Sequence, residues 1–157
     1  MTRASRFLSI VALCAALAPA AAATPRDAII LSSASANTAD AVSLDVFLRD
    51  TTGTPLGTDA ASGNRIQALA FRLFFPAADV TSVSFERAGL LQNLTPIYER
   101  SASGPGVFGY LATFSEATSP IPFTANAAGG DRIGTLHVQL SSSSGGAITF
   151  MMSCHSA

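Results

Sequence analysis

The sequence predicts an all-β protein, an antiparallel β-sandwich of eight or nine strands with a jelly-roll-like course. Three observations lead there. After residue 23, apolar residues recur with a period of two, and helix-spaced stripes are scarce. The alternating runs are short and are separated by Gly, Pro and Ser turns. No repeat of solenoid length and no linker divides the chain, so one domain is expected over residues 24–152.

The elements follow in order. Residues 28–33 read as a short first strand. In 42–49, Val42, Leu44, Val46 and Leu48 share one face, and Ser43, Asp45 and Arg49 share the other, joined by Phe47. Residues 51–64 form a turn-rich connection with Gly53, Pro55, Gly57 and Gly63. Leu69, Phe71, Leu73 and Phe75 then alternate inward until Pro76, which lacks a ladder donor, ends the strand. A strand over 80–87 places Val83 and Phe85 on one face. Residues 96–100 read as a short strand and 101–106 as a loop around Gly104-Pro105. Strong strands are expected at 107–114 and 132–140, the second with Leu136, Val138 and Leu140 facing the core. A loop over 115–130 separates them. After a Ser/Gly turn at 141–146, residues 147–151 are the last strand, and 153–157 are expected to be a mobile tail.

The N-terminus reads as a targeting segment. Arg3 and Arg6 precede an apolar run over 7–17, and Ala21-Ala22-Ala23 offers an A-x-A cleavage site. Residues 1–23 are therefore expected to be a secretory signal peptide, too short to span a membrane, with the product secreted, periplasmic or at the cell surface. Residues 24–157 would carry seven arginines against ten acidic residues, about −3 in net charge. No basic stripe exists, which argues against nucleic acid as a partner. With Cys14 inside the signal, Cys154 is left alone, so neither an internal disulfide nor a thiolate metal site is expected.

Catalytic patterns are absent: there is no G-x-S-x-G, H-E-x-x-H or phosphate-binding loop. His137, between Leu136 and Val138, is expected on a solvent face, and His155 lies in the tail. Glu86, Glu99 and Glu116 fall on separate elements. No cofactor is expected. Asp50 and Asp59 bracket Thr51, Thr52, Thr54 and Thr58, oxygen donors that suit calcium, but ordinary turn chemistry accounts for them and the D-x-D-x-D-G spacing is missing. There is no Trp for sugar stacking. Phe108, Tyr110 and Phe114 share one face of one strand, either as a stacking platform or as core. Asn93-Leu94-Thr95 is read as a chance match to a glycosylation site.

Phe71, Leu73, Phe75 and Pro76, then Val80-Thr81-Ser82-Val83, then Gly89-Leu90-Leu91 resemble a series found in bacterial cohesins, which belong to the carbohydrate-binding-module-like sandwiches. That series reads F-x-L-x-Y-D-P, V-x-S-V and G-x-L-L. Residues 131–140 are similar to the family's late strand, and 107–114 to an earlier one, so the likeness spans about residues 41–140. Two departures stand out: Phe75 directly precedes Pro76 without the family's acidic residue, and the chain stops soon after Phe150. The resemblance implies an exported, non-catalytic module that binds another protein, such as a dockerin-like module, with polysaccharide degradation as the setting. A carbohydrate-binding module and a structural surface domain are the alternatives. The outward rows best suited to a binding face are Asp45, Phe47 and Arg49 beside Ser43, and Arg72 with Phe74.

Overall fold

Alternation sorts each strand into an inward and an outward row, and two sheets result. The computed structural model describes residues 7–8, 27–36, 40–50, 68–115, 117–118, 121–122, 128–142 and 148–155. The strands are β1 (Phe7–Leu8), β2 (Ala28–Leu31), β3 (Ala34–Ser35), β4 (Ala41–Arg49), β5 (Ala68–Phe74), β6 (Val80–Arg87), β7 (Tyr98–Gly104), β8 (Val107–Thr113), β9 (Asp131–Leu140) and β10 (Met151–His155). One four-stranded sheet runs β10-β5-β8-β7 and the other β2-β4-β9-β6. All pairings are antiparallel. The chain crosses between sheets at most connections, and the expected all-β sandwich with jelly-roll-like connectivity is what forms.

The inward rows are those that the alternation marks. Val42, Leu44, Val46 and Leu48 on β4 and Leu136, Val138 and Leu140 on β9 are buried, and Ile133, out of that parity, is buried beside the register shift at Val46/Phe47. They face Leu69, Phe71 and Leu73 on β5 and Phe108, Tyr110 and Ala112 on β8. Burying a side chain of this size contributes about 1.5–3 kcal/mol. Phe108, Tyr110 and Phe114 are thus core residues, which removes them as a stacking platform.

Two segments depart from the alternation. Residues 101–104 form strand where a loop is expected, and only Pro105-Gly106 turn the chain into β8. β7 is an edge strand whose residues through Ser103 are exposed on both faces, so it leaves no apolar period to read. The last strand begins at Met151, after buried Ile148 and Phe150. Ser153, Cys154 and His155, expected as a mobile tail, pair with Arg72, Phe71 and Ala70. Ladder hydrogen bonds come from the backbone, so β5 can hold a strand without an apolar pattern.

The connection at 51–64 and residues 156–157 lie outside the described residues, as does most of 1–23. Within the latter, Phe7–Leu8 pairs with Ala34–Ser35.

Two glycines are required by geometry. Gly106 sits at φ +72° in the β7–β8 turn, where a Cβ would also come within 2.9 Å of the Phe75 carbonyl oxygen. Gly134 lies under the Phe85 ring: a Cβ there would be 2.2 Å from Phe85 Cζ and 2.6 Å from the Glu86 carbonyl oxygen.

Two stability measurements check this packing by denaturant titration. Leu73→Ala is expected to cost about 2–5 kcal/mol, as for other packed core leucines. Gly134→Ala is expected to cost about 1–3 kcal/mol through overpacking, and a neutral result would mean that Phe85 does not occupy that site.

Candidate binding face

The outer face of the β10-β5-β8-β7 sheet is built from four rows that the strand register fixes. Met151, Phe74, Val107 and Gly104 form the first row. Ser153, Arg72, Gly109 and Ala102 form the second. His155, Ala70, Leu111 and Arg100 share the third, and Ala68, Thr113 and Tyr98 the fourth. Phe74, Tyr98, Leu111 and Met151 are exposed by 38%, 47%, 37% and 64%. They are four of the five large hydrophobic residues that stand exposed among the described residues, the fifth being Ile97 just before β7. Small residues lie between them. The Arg72 stem runs beside Gly109, where a Cβ would sit 3.9 Å from Arg72 Cγ. From strand spacing and rise, the face measures roughly 15 Å by 20 Å, about 300 Å².

The outer face of the β2-β4-β9-β6 sheet is chemically different. Arg132 Nε donates to Asp45 Oδ1 at 2.8 Å, and its Nη2 lies 2.7 Å from the same oxygen. Nη2 also donates to Thr135 Oγ1 at 2.7 Å. His137 lies between Ser43 and Glu86, with its Nδ1 3.2 Å from Ser43 Oγ and its Nε2 3.2 Å from Glu86 Oε2. The expectation of a solvent-face histidine holds. Phe47 is half-buried, flanked in the register by Ile30 and Arg132. On this face Asp45 is paired with Arg132 and Glu86 faces His137, while Arg49 stands exposed at the end of β4.

A polar clamp joins the two sheets at one side. Arg87 on β6 donates through Nε to Glu99 Oε1 on β7 at 3.0 Å, and through Nη1 to the carbonyls of Leu91 and Leu94 at 2.8 and 2.6 Å. The Tyr110 hydroxyl donates to the same Glu99 oxygen at 2.7 Å. Burial, then the hydrogen bond to Glu99 and its negative charge, push the Tyr110 phenol well above its ordinary value of 10, against a smaller opposing effect of Arg87.

The five site residues expected from sequence do not form one face. Asp45, Phe47 and Arg49 lie on β4 in one sheet, and Arg72 and Phe74 lie on β5 in the other, with the core between them. Asp45 is engaged by Arg132, whereas Arg72 and Phe74 stand in the apolar face. Arg100, Tyr98, Leu111 and Met151 join that face without having been singled out. Alternation in 107–113 marks Leu111 as outward, but strand order alone brings Tyr98 and Met151 beside it. Of the calcium-suited loop, Asp50 is described, and it is buried at 1% exposure. Among the described residues no three His, Cys, Asp or Glu side chains cluster as a metal site would need. No helix among them is long and apolar enough to cross a membrane.

No family model matches the chain, and no curated protein does. Among solved structures it is similar to the sixth cohesin of scaffoldin B from Acetivibrio cellulolyticus, determined in complex with a doubly substituted Cel5 dockerin. The two are 15% identical with a TM-score of 0.44, over 70% of this chain and 67% of that one.

The clamp gives a pH-dependent stability. The folded state holds the Tyr110 proton more tightly than the unfolded chain, so its contribution is complete below pH 10 and is lost as pH rises above that value. Unfolding followed from pH 9 to 12 should show wild type losing up to about 1.4 kcal/mol per pH unit relative to Tyr110→Phe. Parallel curves for the two proteins would contradict the assignment.

Proposed function

We propose that the chain is an exported, non-catalytic binding module that holds another protein against the outer face of the β10-β5-β8-β7 sheet. The carrying observation is that Phe74, Tyr98, Leu111 and Met151 collect on that one face. Exposed apolar groups gathered on one surface, rather than scattered, mark an interaction site. Tyr, Phe, Met and Arg are also the residues enriched in protein interfaces. At about 300 Å² the face is smaller than the roughly 800 Å² per partner of a standard interface, so it would form the centre and neighbouring loops the rim.

The cohesin resemblance of residues 71–91 and 131–140 makes a dockerin-like module the first partner to test, in the extracellular degradation of polysaccharide. A sugar platform fits the face less well. Phe74 and Tyr98 lie in the first and last rows, on strands separated by β8, rather than side by side.

Calorimetric titration with dockerin-like modules encoded by the same organism tests the reading. Leu111→Ser and Phe74→Ser should each weaken binding by about tenfold, equivalent to 1.4 kcal/mol, with little change in thermal stability. Ser84→Arg on the opposite face should leave affinity unchanged. Affinity for cellulose, chitin or xylan without any protein ligand would instead support a carbohydrate-binding module.

A further inference from the structure

We infer that the partner presents carboxylates to this face, set among apolar side chains. This rests on the docking-face reading above and adds the charge of what docks. The four strands of the sheet carry one acidic residue among the described positions, Glu99, and it is engaged by Arg87 and Tyr110 on the inner side. The outer face therefore carries two guanidinium groups, Arg72 and Arg100, and no carboxylate among the described residues. Both arginines are exposed, and neither enters an ion pair there, in contrast with Arg87 and Arg132.

The rows give the spacing. Arg72 and Arg100 are two strands and two residues apart, a diagonal of about 12 Å. Gly109 and Ala102 in the Arg72 row, with Ala70 in the row of Leu111 and Arg100, form a strip of small residues beside the two arginines and next to the Phe74/Met151 row. A carboxylate entering this strip meets a planar donor fork that suits it and that gives up no existing partner. Apolar side chains on either side would cover Phe74 and Leu111 and exclude water from the pairs.

Anionic lipid or nucleic acid is a poorer match. Recognition of either draws on clusters of several cations, and the described residues of this face supply two arginines on a chain whose net charge is −1. Two cations among four apolar groups suit a protein surface in which acidic and apolar side chains alternate.

The test is selection of a displayed random-peptide library on the chain, with Phe74→Ser/Leu111→Ser protein used to identify binders that need the face. Circular dichroism verifies that each variant folds. Face-dependent binders should be enriched in Asp and Glu next to apolar residues. Arg72→Glu/Arg100→Glu should reduce their affinity tenfold or more, and replacing the binders' acids by Lys should restore it on that variant. Face-dependent binders that are neutral or basic, and indifferent to both arginines, would overturn the acidic partner and leave the docking face standing. A library yielding no face-dependent binders would overturn both. Arginine-dependent binding to phosphatidylserine vesicles, with no acidic peptide selected, would overturn the inference in favour of a lipid surface.

Discussion

The Phe71 ring ties the two sheets together, and much of the molecule is arranged around it. Phe71 stands on β5, inside one sheet, and meets Phe85 of the facing sheet edge-on with centroids 5.3 Å apart. Tyr110 and Phe108 on β8 flank it at 5.4 and 6.4 Å, and Phe85 is 4.4 Å from Tyr110. Such pairs add about 0.5–1.5 kcal/mol each beyond the area they bury. Phe85 can turn into this cluster because Gly134, beneath it on β9, has no side chain.

The cluster also explains how β7 can be a strand without an apolar face of its own. Tyr110 carries its hydroxyl out of the aromatic cluster to Glu99, and Arg87 holds Glu99 from the opposite sheet. Ser103 adds a hydrogen bond from its hydroxyl to the Val83 carbonyl at 3.2 Å. The inner side of β7 is thereby fixed by polar contacts. Its outer side, with Tyr98, Arg100 and Ala102, is left to face solvent on a strand that is held in place. A rigid strand presents side chains at lower entropic cost than a loop does, which suits recognition.

Sequence carried the fold further than it carried the site. The inward rows of β4, β5, β8 and β9 were legible because core packing demands a period of two and nothing else competes on those positions. β7 was not, because its stability comes from Glu99, Arg87 and the backbone ladder, which leave no periodic trace. The pairing of Ser153–His155 with β5 left no periodic trace either. Among site residues, alternation correctly turned Phe74 and Arg72 outward but could not say that β4 lies in the other sheet. Pairing between β10 and β5, and between β7 and β8, is a long-range property of the chain. The rows that place Met151 beside Phe74 and Arg100 beside Leu111 exist only after it forms.

The two outer faces differ in residue types and in what those residues already hold. On the β2-β4-β9-β6 face, Arg132 is committed to Asp45 and His137 lies between Ser43 and Glu86. The Asp45–Arg132 pair is exposed and worth only about 0.2–1 kcal/mol to the fold, yet a partner covering it would have to desolvate both charges and match a geometry already satisfied. On the β10-β5-β8-β7 face the arginines have no such commitment among the described residues, and the apolar groups beside them gain from any dry contact. Covering the first face disturbs existing bonds for little apolar gain; covering the second removes exposed apolar surface and supplies free cations with partners. Because the core lies between the faces, substitutions on one leave the other's rows in register. Recognition on the apolar face is therefore separable from the packing around Phe71 that holds the sandwich together.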